Sequence, residues 1–290
     1  KITYTQMLNE DGGIEADLTV ACLGQNHFRI ITSAANRERD KFHISKYLSS
    51  EVELEDITEM VACFGIFGPN SRGLMKKLSN ERFSDENFKF GTGKKIKIKD
   101  KNIWAQRLSY VGELGWELYI DINHSKEIYN FIIQKGKEFK ISNCGMLSMD
   151  TMRMESGFLH WGHDISPEEN QYEAGLDFTI SYKKNIDFIG KKALLKIREK
   201  KQKKKLITLS LEKSEPGKPL LLHDEPIYLD EKIIGRTTSG NYSFNYNKNL
   251  SFGYVNTDNT LKELCNKNLF IEVEKKKYKA KIEINPLNKS

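Results

Sequence analysis

Asp17 is the first residue whose type and setting could support chemistry. It lies in the segment GGIEADLTV, where apolar and polar residues alternate, so the pattern predicts a β-strand with Asp17 on its polar face. An acid on the polar face of a strand is about as often a solvated surface group as a functional one. At the end of a pocket, the same carboxylate could bind or polarise an amine.

The segment YVGELGWE, residues 110–117, combines two carboxylates, a phenol and an indole with two glycines. The glycines interrupt a predicted strand, which is costly for the strand and often marks the close approach of a ligand. Carboxylates accept hydrogen bonds from ring N–H groups and aromatic side chains stack on ring faces, so the set suits a flat heterocycle with amide-like edges. The alternative is a hairpin turn with surface glutamates.

A third candidate is the stretch DTMRMESGFLHWGHDISPEENQYEAGL, residues 150–176, which predicts a helix that ends at Gly157 and a loop. His160 and His163 are two residues apart, but the stretch has no HExxH or comparable third ligand, so we predict no metal site. The chain also has no GxGxxG after a strand, no complete P-loop and no GxSxG elbow. The stretch is predicted to be both a ligand site and a domain junction.

Composition sets the class of protein that must position these residues. The 290 residues are 30% charged and 38% apolar, with a net charge of +6, which is typical of a globular protein. No apolar run reaches the roughly 20 residues of a membrane helix, so no membrane partner is expected.

The four cysteines are far apart, which favours a reducing compartment, and we predict a cytoplasmic location. The lysine-rich run 191–205 lacks aromatic residues, so it predicts a solvated helix end and connector, with attraction of a polyanion as the alternative and no nucleic-acid partner.

The order of the elements predicts an α+β fold followed by a small β domain. Paired strands alternate with amphipathic helices up to about residue 157, and one more helix follows Asp187. Among these elements we predict a strand from Ile103 to Val111 and a helix to Phe139 with Ser125 as its N-cap. The remainder consists of short strands separated by Gly, Asn and Asp turns, which indicates a small barrel or a jelly roll. We place the domain boundary near the lysine-rich run, giving domains 1–200 and 201–290.

With these motifs in view, the chain resembles the folate-binding family of glycine-cleavage T-proteins, the aminomethyltransferases. The motif HWGHD resembles in particular the sequence of the branch that forms the C-terminal half of dimethylglycine and sarcosine dehydrogenases. The resemblance runs in order along nearly the full length. The stretches that carry it are YTQMLNEDGGIEADLTV, FGPNSRGLMKKLS, LSYVGELGWELYI, MDTMRMESGFLHWGHDISPEENQYEAGLDF with DFIGKKALL, and GRTTSGNYSFNYNKNLSFGYV.

The resemblance implies a three-part, cloverleaf-like folate-binding fold with a C-terminal barrel and a tetrahydrofolate site. It implies that Asp17 is the catalytic acid, near folate N10. The folate-binding residues that it implies are Tyr4, Tyr110 and Glu117, with Arg153 and Trp161 in the pocket or behind it. The N-terminal strand and helix of the family's first domain are missing from the sequence, which starts without Met and reads as a piece of a longer polypeptide.

The activity implied is tetrahydrofolate-dependent one-carbon transfer that makes 5,10-methylenetetrahydrofolate. The carbon donor would be a small-molecule amine or aminomethyl compound, and FAD would be bound only by a domain upstream of Lys1. The alternatives are a stand-alone aminomethyltransferase that works with a lipoyl carrier protein, and a non-catalytic folate-binding regulatory module. One departure concerns Met149, because the family usually has there an Arg that can pair with a folate carboxylate.

Overall fold

Strands and helices alternate through the first half of the chain in the computed structural model, which describes residues 1–184 and 186–287. A three-stranded sheet has the order β1-β2-β3. Its strands are β1 (Ile2–Leu8), β2 (Ile14–Gly24) and β3 (His27–Ile31). Along β2 the buried residues Ile14, Ala16 and Leu18 alternate with half-buried ones, so the predicted alternation is confirmed.

A four-stranded antiparallel sheet has the order β4-β7-β6-β5 and is covered by helices on one face. Its strands are β4 (Val61–Phe67), β5 (Gly93–Ile98), β6 (Lys101–Gln106) and β7 (Gly115–Asp121). The helices of this region are α1 (Arg37–Tyr47), α2 (Ser71–Leu78) and α3 (Ile122–Gly136). Trp116, Leu118 and Ile120 of β7 are buried in the core with residues of α2 and α3. The period of two therefore leaves Glu117 and Tyr119 on the other face.

Two local predictions in this region are wrong. The strand predicted to continue to Val111 ends at Gln106, and residues 107–114 form a loop in which Gly112 has a positive φ of 69°. The helix predicted to have Ser125 as its N-cap begins at Ile122, because the side chain of Asp121 accepts a hydrogen bond from Asn123 N at 2.9 Å and caps it. Tyr110 consequently lies in a loop, whereas Glu117 lies on a strand.

The C-terminal part forms a closed barrel with the strand order β10-β11-β8-β13-β12-β9, which confirms the predicted small barrel. Along the chain, the helices α4 (Met146–Glu155) and α5 (Lys191–Arg198) follow the strands of the two sheets and precede those of the barrel. The barrel elements are β8 (Lys204–Leu211), β9 (Pro226–Leu229), β10 (Lys232–Ser243), β11 (Lys248–Asn256), α6 (Leu261–Leu264), β12 (Leu269–Val273) and β13 (Lys276–Glu283). Aliphatic side chains such as Leu209, Ile227 and Ile271 fill the interior. The α+β class with a C-terminal barrel is thus confirmed.

Contacts divide the chain into two compact units. The first unit contains Lys1–Thr5 and Leu18–Gly145, and the second contains Gln6–Asp17 and the chain from Met146 onwards. The first hairpin therefore contributes residues to both units. This division groups α4 with the barrel because the two are in contact, whereas the boundary after residue 200 stays a prediction about domains in the sequence. None of the helices that the structure describes is long and apolar enough to cross a membrane.

Candidate functional site

The turn between β1 and β2 is held against the loop that follows α4, within the second unit. Gly12 has a φ of 87°, and a Cβ on Gly13 would come within 2.0 Å of the carbonyl oxygen of Pro167. Ile14 N also donates to Glu169 O at 3.0 Å. The two glycines are therefore required by the positive φ and by the close approach of the loop backbone. This contact fixes the start of β2, three residues before Asp17.

Asp17 is half-buried and is oriented by Gln6 of β1. Gln6 Nε2 donates to Asp17 Oδ1 at 2.8 Å, while Gln6 Oε1 accepts from Thr179 Oγ1 at 2.6 Å and from Gln171 Nε2 at 3.4 Å. Because the oxygen of the buried amide is occupied by these donors, its nitrogen must face the carboxylate. Sequence reasoning missed Gln6. The NEDGG turn could have indicated it, since folding the hairpin there brings residues 6 and 17 together.

Arg153 is buried in α4, with 1% of its surface exposed. Its Nε donates to Asp150 Oδ1 at 2.8 Å, and its Nη2 donates to Ser239 Oγ of the barrel at 2.8 Å. Nη1 donates to Asp164 Oδ2 at 2.6 Å and to Phe158 O at 3.1 Å. These bonds join α4, the following loop and β10. The geometry therefore supports a positioning role for Arg153, behind any pocket, more than direct contact with a ligand.

Trp161 lies in the same loop and reaches back to the first hairpin. Its Nε1 donates to Ile14 O at 3.0 Å, and its ring packs against the apolar cluster that includes Ile14 and Ile165. Since Ile14 begins the strand that carries Asp17, Trp161 helps to fix the position of Asp17 within the second unit.

The histidines of this loop form a small cluster with a barrel residue. The ring centroids of His160 and His163 are 4.6 Å apart, and those of His163 and His223 are 6.3 Å apart. Burial lowers the pKa of His160, and the charges of His163 and Arg153 lower it further. Among residues 1–184 and 186–287, no group of three or more His, Cys, Asp or Glu side chains is arranged to hold a metal ion. The cluster fits a packing role with a neutral His160.

This lowered pKa makes stability depend on pH. Between the ordinary value of 6.5 and the lower pKa of the folded state, the unfolded chain binds a proton at His160 that the folded chain does not. We expect the free energy of unfolding to be highest above that window and to fall as the pH drops from 6.5 through it. Urea unfolding at several pH values would show a shallower pH dependence in His160→Asn, and an unchanged one in His27→Asn, which alters an exposed histidine. An identical pH profile in His160→Asn and the wild type would contradict this prediction.

In the first unit, Glu117 is the centre of a polar group on the face of the second sheet that is opposite α2 and α3. Tyr119 donates its hydroxyl to Glu117 Oε2 at 2.7 Å, and Gln106 Nε2 lies 3.5 Å from the same oxygen. Burial and the charge of Glu117 raise the pKa of Tyr119, so its phenol remains a donor. The second carboxylate oxygen, Oε1, receives no hydrogen bond from the residues that the structure describes. Glu117 can therefore still accept from a ligand.

The remaining predicted residues of the first unit are Tyr4 on β1 and Tyr110 in the loop 107–114. Tyr4 is 38% exposed and Tyr110 is half-buried. The base of the loop is anchored by Arg107, whose Nη1 donates to Phe88 O at 2.7 Å and whose Nη2 pairs with Asp85 at 2.6 Å. Tyr4, Tyr110 and Glu117 thus belong to the first unit, and Asp17, Arg153 and Trp161 to the second.

Two known family models match the sequence, one in its α+β part and one in its barrel. The GCVT N-terminal domain matches residues 1–184, and the glycine cleavage T-protein C-terminal barrel domain matches residues 204–289. Mitochondrial dimethylglycine dehydrogenase of Rattus norvegicus is 35% identical over 293 residues, which covers 99% of this chain and 34% of that protein. Aminomethyltransferase of Halothermothrix orenii is 32% identical over 259 residues, which covers 89% of this chain and 70% of that protein.

A solved structure shows the same fold. The glycine cleavage system aminomethyltransferase T from Bartonella henselae matches with a TM-score of 0.82 and 21% identity, over 99% of this chain and 76% of that one. The chain spans about a third of the length of the dimethylglycine dehydrogenases that it matches.

Proposed function

The chain belongs to the glycine cleavage T-protein family of aminomethyltransferases, and we propose that it transfers a one-carbon unit to tetrahydrofolate. In this proposal it is the C-terminal folate region of a protein similar to dimethylglycine or sarcosine dehydrogenase. It receives formaldehyde or an iminium produced by amine oxidation and forms 5,10-methylenetetrahydrofolate. The observation that carries the proposal is the orientation of the Asp17 carboxylate by Gln6 Nε2, at 2.8 Å, on the strand where the family has its catalytic aspartate.

Glu117 is proposed to bind the pterin. A carboxylate can accept two parallel N–H bonds from the 2-amino group and N3 of a pterin ring. Tyr119 and Gln106 hold one oxygen of Glu117, so that the carboxylate is preorganised while its Oε1 remains available. Tyr110, in the adjoining loop, is proposed to form one wall of the ring site, and Tyr4 to line the pocket.

Asp17 is proposed to act on the charge of the reacting amine. Tetrahydrofolate supplies the nitrogen nucleophiles that accept the carbon. A fixed carboxylate stabilises positive charge that develops on nitrogen and can accept the proton released as the new C–N bond forms. With Met149 at the family's Arg position, the glutamyl tail of folate must pair with another cation or extend into solvent.

Two alternatives remain within reach of the family. Similarity to the Halothermothrix orenii aminomethyltransferase over 70% of its length favours a stand-alone aminomethyltransferase. We propose a lipoyl carrier protein as the carbon donor in that case. A non-catalytic folate-binding module would keep Glu117 functional without a role for Asp17. The dehydrogenase proposal requires a flavin domain in the same polypeptide, and the gene sequence upstream of Lys1 would separate it from the carrier-dependent alternative.

Glu117→Gln tests folate binding. The substitution removes the negative charge that accepts from the pterin edge, and charge-assisted hydrogen bonds contribute about 1.5–3 kcal/mol. We expect the affinity for tetrahydrofolate to fall about 10- to 100-fold, measured by quenching of tryptophan fluorescence.

Glu138→Gln is the control, because it changes a carboxylate paired with Lys77 on the surface of the first unit. Unchanged affinity in folded Glu117→Gln protein would refute the role of Glu117. If tetrahydrofolate does not quench the fluorescence of the folded wild type, folate binding itself is refuted.

A further inference from the structure

Around Glu117, the first unit contains buried polar atoms that have no hydrogen-bond partner among the residues the structure describes. They are Arg29 Nε and Nη1, Trp104 Nε1 and Gln106 Oε1. Native proteins leave few buried polar groups unpaired, because such a group loses its hydration without compensation. Several of them in one place therefore indicate a ligand that the fold is built to receive.

The sheet register places these groups on one face. Trp104 of β6 is paired with Tyr119 of β7, and Gln106 is paired with Glu117. Directly paired residues of antiparallel strands point to the same side of the sheet. Gln106 is fully buried, and its amide nitrogen faces Glu117 while its oxygen remains unpaired.

Arg29 reaches the same face from β3. Its Cζ lies 5.6 Å from the centroid of the Tyr119 ring, and Tyr119 donates to Glu117. Burial lowers the pKa of Arg29, but a guanidinium remains protonated in proteins. One patch of the first unit therefore holds a cation with two unpaired donor nitrogens, a carboxylate with an unpaired oxygen, and an amide with an unpaired oxygen.

This combination selects a class of ligand. A simple anion would suit Arg29 but would be repelled by Glu117, and a simple cation would be repelled by Arg29. A neutral ring that presents N–H donors on one part of its edge and a carbonyl oxygen on another satisfies all three groups. The 2-amino-4-oxopyrimidine edge of a pterin has this pattern, since its donors are at N2 and N3 and its acceptor is the oxygen at C4.

We propose that Arg29 and Gln106 determine the specificity of the pterin subsite. Arg29 donates to the oxygen at C4, and Gln106 Oε1 accepts the 2-amino proton that Glu117 does not take. This inference rests on the proposed function, because it takes Glu117 as the pterin carboxylate. A 2,4-diaminopteridine offers a donor where Arg29 requires an acceptor, so the site discriminates against it.

Folic acid and aminopterin test this, because aminopterin has an amino group in place of the oxygen at C4 and lacks the proton at N3. The effect of the Arg29 variants on the preference separates the contact at C4 from that of Glu117 with N3. We expect the wild type to bind folic acid at least about 100-fold more tightly than aminopterin, measured by tryptophan fluorescence or calorimetry. Arg29→Met should weaken folic acid about 10- to 100-fold and leave aminopterin almost unchanged, so that the preference narrows by that factor. The part of the preference that comes from Glu117 and the N3 proton should remain. Gln106→Leu should weaken both ligands by the same factor, because both carry the 2-amino group.

Arg82→Met, which alters an exposed arginine of the same unit, should change neither affinity. Arg29→Lys is the second variant should Arg29→Met fail to fold, and it should lose part of the preference because lysine lacks the planar fork. A folic acid preference that is the same in the wild type and in both Arg29 variants would overturn the inference and leave water as the partner of these groups. Failure of the wild type to bind tetrahydrofolate, folic acid or aminopterin would refute the proposed function instead.

Discussion

Asp17→Asn is expected to lower the rate of methylene transfer to tetrahydrofolate by about 10²- to 10⁴-fold, the range that a positioned acid or base contributes. The substitution keeps the size of the side chain and an oxygen for the bond from Gln6 Nε2. It removes the negative charge that would stabilise a cationic amine and the site that would accept its proton. Affinity for tetrahydrofolate should remain close to that of the wild type, because the proposed pterin carboxylate is Glu117.

The measurement is single-turnover formation of 5,10-methylenetetrahydrofolate from formaldehyde and tetrahydrofolate, with binding followed separately. Glu15→Gln is a matched control, since Glu15 lies two residues away on the same face of β2 and accepts from Asn9 Nδ2 at 3.3 Å. Loss of transfer with binding retained supports an enzyme. A turnover rate that Asp17→Asn leaves unchanged would exclude the catalytic role of Asp17 and favour the binding module.

The elements with strong local signals could be predicted from the sequence. The alternation in GGIEADLTV specifies β2 and the face on which Asp17 lies, because a one-residue shift would expose Ile14, Ala16 and Leu18. The short strands after residue 203 indicate a small barrel or a jelly roll for a similar reason, since alternate residues of β8, β12 and β13 are apolar and are buried in one interior. Neither inference requires knowledge of distant contacts.

The errors occur where tertiary contacts override local pattern. The segment RLSYVGELG looks like the continuation of a strand, but Arg107 is fixed by Phe88 O and Asp85 and redirects the chain into a loop. The partners of the candidate site residues are equally distant in sequence. The side-chain amide of Gln6 is oriented by a hydrogen bond from Thr179, and Arg29 approaches Tyr119 from another sheet. No spacing rule connects residues separated by 90 or more positions, so these contacts could not be predicted.

The histidines illustrate how a motif can mislead. The motif HWGHD contains two imidazoles and a carboxylate within five residues. Such a cluster suggests metal binding or acid–base chemistry. In the structure, the buried member of the group is Asp164, which accepts from Arg153, from His160 N and from Thr238 Oγ1. The motif thus contributes a buried acceptor that joins α4, its loop and the barrel within the second unit.

Asp164→Asn should therefore cause the largest loss of stability among the substitutions considered, about 3–5 kcal/mol. The side chains of Arg153 and Asp164 are 2% and 0% exposed, and the substitution would remove the buried carboxylate that pairs with the guanidinium at 2.6 Å. The side-chain amide of asparagine would also point N–H groups at the N–H and O–H groups that now donate hydrogen bonds to Asp164. Urea unfolding followed by circular dichroism measures the loss.

Asp224→Asn is the matched control, because Asp224 pairs with Arg236 on the barrel surface, where both side chains are more than half exposed. Its removal should change stability little, since exposed ion pairs contribute little.

The double variant Arg153→Met with Asp164→Asn should lose less stability than the sum of the losses in the two single variants, because no charge remains buried without its partner. Additive losses, or a loss in Asp164→Asn as small as in Asp224→Asn, would mean that the pair is not the desolvated contact that joins α4 to the loop that follows it. Arg153 would then be available to contact a ligand, and its predicted place among the folate-binding residues would have to be tested by binding.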